Sequence, residues 1–148
     1  MAEIDRSLIG VWGAEGRMRV EFGKIREFAK AVKDGNRVFF DEGKALAPPT
    51  FLMTIAHWIG SLGETRSAVK LDYRRLLHGE QEFEYLKPIK AGDVLTFRSC
   101  TKDVFEKQGK RGGKMIFIIG ETEYRNRAGE VVAYTRNTAI ETEGAVQG

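Results

Sequence analysis

The chain has 148 residues, 42% of them hydrophobic and 30% charged, with a formal net charge of +3. This describes a single globular domain, expected over residues 1–148, and excludes a disordered, collagen-like or coiled-coil chain. One cysteine, Cys100, excludes an internal disulfide and a multi-cysteine zinc site.

The first predicted element is a helix over Gly23–Asp34. Phe22, Ile25, Phe28, Ala29 and Val32 recur every three to four residues as an apolar stripe, with Lys24, Arg26, Glu27, Lys30 and Lys33 opposite. Gly35-Asn36 reads as the helix stop, because both residues tolerate positive φ. Arg37-Val-Phe-Phe40 reads as a short extended piece. A second helix over residues 50–62 follows Pro48-Pro49, since proline fits a first helical turn where its missing N–H costs nothing. Its apolar residues lie on nearly every side, which predicts burial all round. Residues 63–78 carry no readable period, although Leu71, Leu76 and Leu77 need packing partners.

From residue 79 the period changes to two. Gln81, Phe83 and Tyr85 alternate with Glu80, Glu82 and Glu84. Lys90-Ala-Gly-Asp93 is a turn, Val94–Phe105 a long strand, and Lys110-Arg-Gly-Gly113 a hairpin turn. Lys114–Tyr124 is the next strand, Asn126-Arg-Ala-Gly129 a turn, and Glu130–Glu141 the last strand. Three consecutive strands on short turns form an antiparallel meander. The fold class is α+β, one antiparallel sheet against helices.

The longest strongly apolar run, Met115–Ile119, is far below the roughly 20 residues of a membrane span. Residues 1–6 show no basic segment leading into an apolar one. A cytoplasmic chain without membrane association is expected. The charge excess sits in Thr101–Lys114, where Lys102, Lys107, Lys110, Arg111 and Lys114 face only Asp103 and Glu106. Such a hairpin is a solvated turn, or it meets a phosphate or an acidic carrier protein. It lacks interleaved aromatics, and nucleic acid is not an expected partner.

The stretch Leu77-His-Gly-Glu-Gln-Glu-Phe-Glu-Tyr-Leu-Lys-Pro-Ile-Lys-Ala-Gly-Asp-Val-Leu95 resembles the MaoC-like dehydratase N-terminal family, the hot-dog domains of fatty-acid-synthase-like hydroxyacyl-thioester dehydratases. Gly23–Val32 resembles that family's first helix, Ala47-Pro-Pro-Thr-Phe-Leu52 the entry to its central helix, and Glu121–Glu130 its last hairpin. The resemblance implies a single hot-dog domain, an antiparallel sheet wrapped around a long central helix. It also implies reversible hydration of an enoyl thioester carried on coenzyme A or an acyl carrier protein, with no cofactor beyond that carrier. Two histidines without a His-x-x-x-His spacing or a cysteine cluster give no expectation of a metal. The family's catalytic stretch, Asp-x-Asn-Pro-x-His, holds and deprotonates a water, and a backbone N–H at the central helix polarises the thioester carbonyl.

The matching residues here are Asp34-Gly-Asn36-Arg37-Val-Phe39. Asp34 and Asn36 are the remaining candidates for catalysis, and Asp34 is alternatively a local cap. Phe39 stands at the histidine position and cannot move a proton. In relatives of this kind, a domain without the pair associates with one that has it. A homodimer, or a heterodimer with a catalytic hot-dog subunit, is therefore the expected partnership. Pro49, Thr50 and Phe51 are the candidates to line the thioester site. His57 is either a core histidine or a pocket residue, and His78 either bonds at a strand edge or contacts ligand. Glu80, beside His78, belongs to a solvated face or to the same pocket.

A non-enzymatic acyl-thioester binding protein is the alternative function. A hot-dog thioesterase ranks below both, because residues 50–62 hold no Asp or Glu and Glu64 is the nearest carboxylate.

Overall fold

The computed structural model describes residues 3–59, 68–109 and 113–144. Seven strands and two α-helices are assigned among them: β1 Glu3–Ile4, β2 Gly16–Arg19, α1 Phe22–Ala31, α2 Ala56–Ile59, β3 Val69–Lys70, β4 Leu76–Tyr85, β5 Val94–Gln108, β6 Lys114–Arg125 and β7 Val131–Thr142. The main sheet runs in the order β2-β5-β6-β7-β4, antiparallel throughout, and β1 with β3 forms a separate two-stranded ribbon. The predicted meander is the β5-β6-β7 centre of this sheet. Strands β2 and β4 are its two edges.

One sheet face packs on α1 and the segment after Pro48. Met18, Leu95, Phe97, Tyr124 and Ala133 supply the sheet side of that core, and Ile25, Ala29, Phe39, Phe51 and Leu52 supply the other. Phe28 meets Phe51 edge-on at 5.7 Å between ring centroids. Farther along the same face a second cluster forms, where Ala68, Val69, Val104, Ile116 and Ile118 pack with Ile4, Leu8 and Leu71. Thus the unreadable 63–78 stretch includes a lid on the sheet, contributed by residues 68–71.

Three expectations are corrected here. Helix α1 ends at Ala31, not Asp34. The positive φ falls on Lys33 (59°), and Asp34 N–H donates back to the Ala29 carbonyl at 2.9 Å, a Schellman-type ending that needs no glycine. Arg37–Phe39 is a 3-10 turn, not an extended piece. The central segment begins as a 3-10 helix, Phe51–Ile55, and continues as the four residues of α2, none of them buried. Met53 and Ile59 are 46% and 47% exposed, so burial all round does not hold. The expected run to residue 62 passes outside the described residues, and a long central helix is not seen within them. No helix among the described residues is long and apolar enough to cross a membrane.

Candidate active site

The stretch after α1 is tied down by its own side chains. Asp34 Oδ1 accepts from Asn36 N–H at 3.0 Å, and Asn36 Oδ1 accepts from Val38 N–H at 3.2 Å. Each is an Asx-type bond that turns the chain, and the second caps the 3-10 turn. The turn in effect drives Phe39 inward, where it is 6% exposed within the main core, while Arg37 stays at the surface. Asp34→Ala should therefore lower stability by about 1 kcal/mol, the cost of one lost cap-type bond, while thioester affinity is retained. Thermal unfolding and titration with an acyl-CoA check the two halves of that statement.

The segment carrying Pro49, Thr50 and Phe51 divides by residue. Pro49 and Thr50 are exposed, whereas Phe51 is 1% exposed and belongs to the core. Phe51 N–H donates to the Pro48 carbonyl at 2.9 Å, and Met53 N–H to that of Thr50 at 3.0 Å. The Phe51 amide is therefore already occupied in this conformation. The Pro49 carbonyl accepts from the Tyr85 hydroxyl at 2.5 Å. Tyr85 and Pro49 share an apolar slot of about 170 Å³ with Leu46, Ala47, Pro88 and Ile89.

His57 is exposed on α2 rather than in the core. It lines a groove of about 310 Å³ with Lys24, Glu27, Phe28, Met53 and Thr54. Lys24 and Glu27 pair at 3.0 Å on one rim. Thr54 is 7% exposed, and its hydroxyl has no hydrogen-bond partner among the described residues. A buried hydroxyl left in this state gains from any polar group that reaches it. Thr54 was not singled out from sequence, and the available signal was a threonine set between Phe51-Leu-Met53 and Ile55-Ala56. Asp34 lines neither the slot nor the groove.

His78 and Glu80 separate. The register of β4 against β7 shifts between them, so His78 opposes Ala139 and Glu80 opposes Thr138. Ala139 and Thr138 are successive strand residues on opposite faces, so His78 and Glu80 also lie on opposite faces and cannot share a pocket. Gly79 fits the bulge because a Cβ there would stand 2.8 Å from Ile140 Cδ1. Glu80 is exposed; Glu82 and Glu84 on the same face both pair with Arg136, at 2.8 Å for Glu84. In the basic hairpin, Lys107 lies over the stacked rings of Phe105 and Phe117, and Lys114 pairs with Glu106 at 2.6 Å; Lys110 and Arg111 lie outside the described residues. Burial, and then Glu121, push the Cys100 thiol up and away from a reactive thiolate.

The profile of the FAS1-like dehydratase domain region matches residues 7–135. The UPF0336 protein of Streptomyces coelicolor is 34% identical over 153 residues, covering 96% of this chain and 99% of that protein. The chain belongs to the FAS1-like dehydratase-region family. A UPF0336 protein of Thermobifida fusca is also 34% identical, over 74% of each chain. Among solved structures, a chain of the C-terminally truncated HadBC (3R-hydroxyacyl-ACP dehydratase) complex of Mycobacterium tuberculosis aligns with TM-score 0.67 at 24% identity, over 93% of this chain and 99% of that one. A chain of the ChsH1-ChsH2 complex of the same organism aligns with TM-score 0.66 at 18% identity, over 91% and 85%. At these identities the structural likeness establishes the hot-dog, MaoC-like fold, and the family match establishes the membership. In this FAS1-like family member, the sheet wraps a short, partly 3-10 helical segment over the described residues.

Proposed function

We propose that this chain is a subunit of an enoyl-thioester hydratase or 3-hydroxyacyl-thioester dehydratase acting on acyl-CoA or acyl-carrier-protein substrates. It shapes the acyl site, and a second hot-dog subunit provides the catalytic aspartate and histidine. The carrying observation is Phe39, a core residue at the position where the resemblance places the histidine. Adding water across a double bond needs a group that takes and returns a proton near neutral pH. Phenylalanine has none, and Asp34 and Asn36 each spend a side-chain oxygen on the backbone.

Two features support pairing. Strand β4 is an edge of the sheet among the described residues, and Leu77 and Tyr85 on it are 40% and 38% exposed. The solved relatives HadBC and ChsH1-ChsH2 are complexes by description. The His57–Thr54 groove and the Pro49–Tyr85 slot are this chain's contributions to substrate contact. A non-enzymatic thioester-binding protein is the second reading, favoured by the same occupied Asp34.

The test is co-purification with a hot-dog chain of the same genome that carries Asp-x-Asn-Pro-x-His, assayed with crotonyl-CoA and a long-chain enoyl-CoA. The complex should exceed the catalytic chain alone by at least about tenfold in kcat/KM on one of the two substrates, which corresponds to about 1.4 kcal/mol of transition-state binding. A complex that gains neither rate nor affinity refutes the shared site.

A further inference from the structure

The outer face of the sheet carries a charge pattern that is complete in one half and broken at one corner. In the complete half, acid and base alternate across strands. Glu121 lies between Lys102 and Arg136, at 2.7 and 2.6 Å. Glu123 lies between Arg98 and Arg125, at 3.1 and 2.8 Å, and Arg98 also stacks on Trp12. At the β2 edge the alternation stops. Arg17 opposes Thr96, and Thr96 opposes Arg125, so one cross-strand row holds two arginines flanking a threonine. Arg19 stands two residues from Arg17 on the same face, about 7 Å away, and opposes Val94. Arg127 enters from the 126–129 turn.

These residues line an open cleft of about 1090 Å³. Arg17, Arg19 and Arg127 make no ion pair among the described residues, whereas Arg125 is held by Glu123 and the Gly129 carbonyl. Glu15, Glu21, Glu42 and Asp93 also line the cleft and balance its four arginines in formal charge. None of the four carboxylates lies within ion-pair distance of Arg17, Arg19 or Arg127. Asp93 instead accepts from Lys90 N–H at 2.8 Å to close its turn. Arg17 and Arg19 therefore form an unpaired cationic pair on the exposed face of edge strand β2. Like charges beside one another on a sheet face repel, and an anion that bridges them relieves that repulsion.

We propose that this cleft binds a ligand bearing two linked phosphate groups. A guanidinium presents paired N–H donors that match phosphate oxygens. Two such groups about 7 Å apart, with the Thr96 hydroxyl between the strands, suit a diphosphate better than a single anion. Arg17 and Arg19 are on the opposite sheet face from the acyl-site residues, and the proposal stands or falls independently of the dehydratase reading.

Calorimetric titration of the full chain with inorganic pyrophosphate and with ADP, at low and at physiological salt, tests it. Both should bind, with affinity falling as salt rises. Equal affinity means that the diphosphate alone is read, and tighter ADP means that a nucleoside is read too. The double variant R17Q/R19Q should lose at least about tenfold in affinity with its melting temperature unchanged, because both side chains are solvent-facing. The variant R6Q/K70Q, equal in charge loss but outside the cleft, should bind as the parent does. Binding of neither ligand overturns the proposal. So does an R17Q/R19Q variant that binds unchanged, or an equal loss in R6Q/K70Q.

Discussion

Replacing Phe39 with alanine should cost about 3–5 kcal/mol, a large share of a domain's whole stability. The ring is 6% exposed in the main core among Ala29, Phe51 and Leu52, and the 3-10 turn that presents it is fixed by the Asn36 cap. The loss should appear as a fall in melting temperature of about 10 °C for a chain of this size. Phe39→His is the more informative change. It restores the residue expected from the resemblance, yet buries an imidazole among apolar groups, where desolvation holds it neutral. Its folded pKa then lies below the unfolded one, so the variant should lose further stability as pH falls through the unfolded histidine value near about 6.5. It should gain no hydration activity. A Phe39→Ala variant that melts with the parent would show that the ring is not a core element.

Arg136→Met should cost about 2–3 kcal/mol at neutral pH, less than the ~3–5 kcal/mol of a fully buried pair, because Arg136 is partly exposed and Glu121 keeps Lys102. Glu121 is 6% exposed, and burial alone would raise its pKa; Lys102 and Arg136 outweigh burial and hold the carboxyl below its ordinary value. Arg136 also gathers Glu82 and Glu84, tying edge strand β4 to β7 and β6. In the parent, the lowered pKa makes Glu121 stabilising above its ordinary value of 4.5, and that contribution fades as pH falls through the lower folded value. Without Arg136 the carboxyl keeps only the half-exposed Lys102, so acid destabilisation should begin at higher pH. Chemical denaturation between pH 3 and 7 reads both effects. A variant with the parent's stability and acid midpoint would remove the charge ladder from the account.

The sheet was legible where one face of a strand is apolar and the turn chemistry is explicit. The Lys90–Asp93 turn, with Gly92 at φ 92°, and the Asn126–Gly129 turn, with Gly129 at φ 79°, both form. Phe83 turns to the core while Glu82 and Glu84 turn to Arg136, as alternation predicts. Strand β2 was missed because its four residues are too few to show a period. The α1 stop was misplaced because Lys33, not a glycine, takes the left-handed position. The Glu80–His78 grouping failed because a bulge at Gly79 reverses faces, and nothing in strict alternation announces a bulge. His57 lay in an apolar run, but a 3-10 start and a short α2 leave it exposed. For the site, the resemblance places Phe39 where the family's catalytic stretch has histidine. It could not show that Asp34 and Asn36 are spent on the backbone, which is a matter of three-dimensional hydrogen bonding.

The central claim is that this chain lacks the means to hydrate a thioester by itself. The direct measurement is hydration of crotonyl-CoA and of a long-chain enoyl-CoA by the purified chain alone, across a range of enzyme concentrations, with binding of the same thioesters followed calorimetrically. The account predicts binding without turnover. Turnover that survives purification, scales with the chain and disappears on substitution of Asp34, His57 or His78 would contradict it.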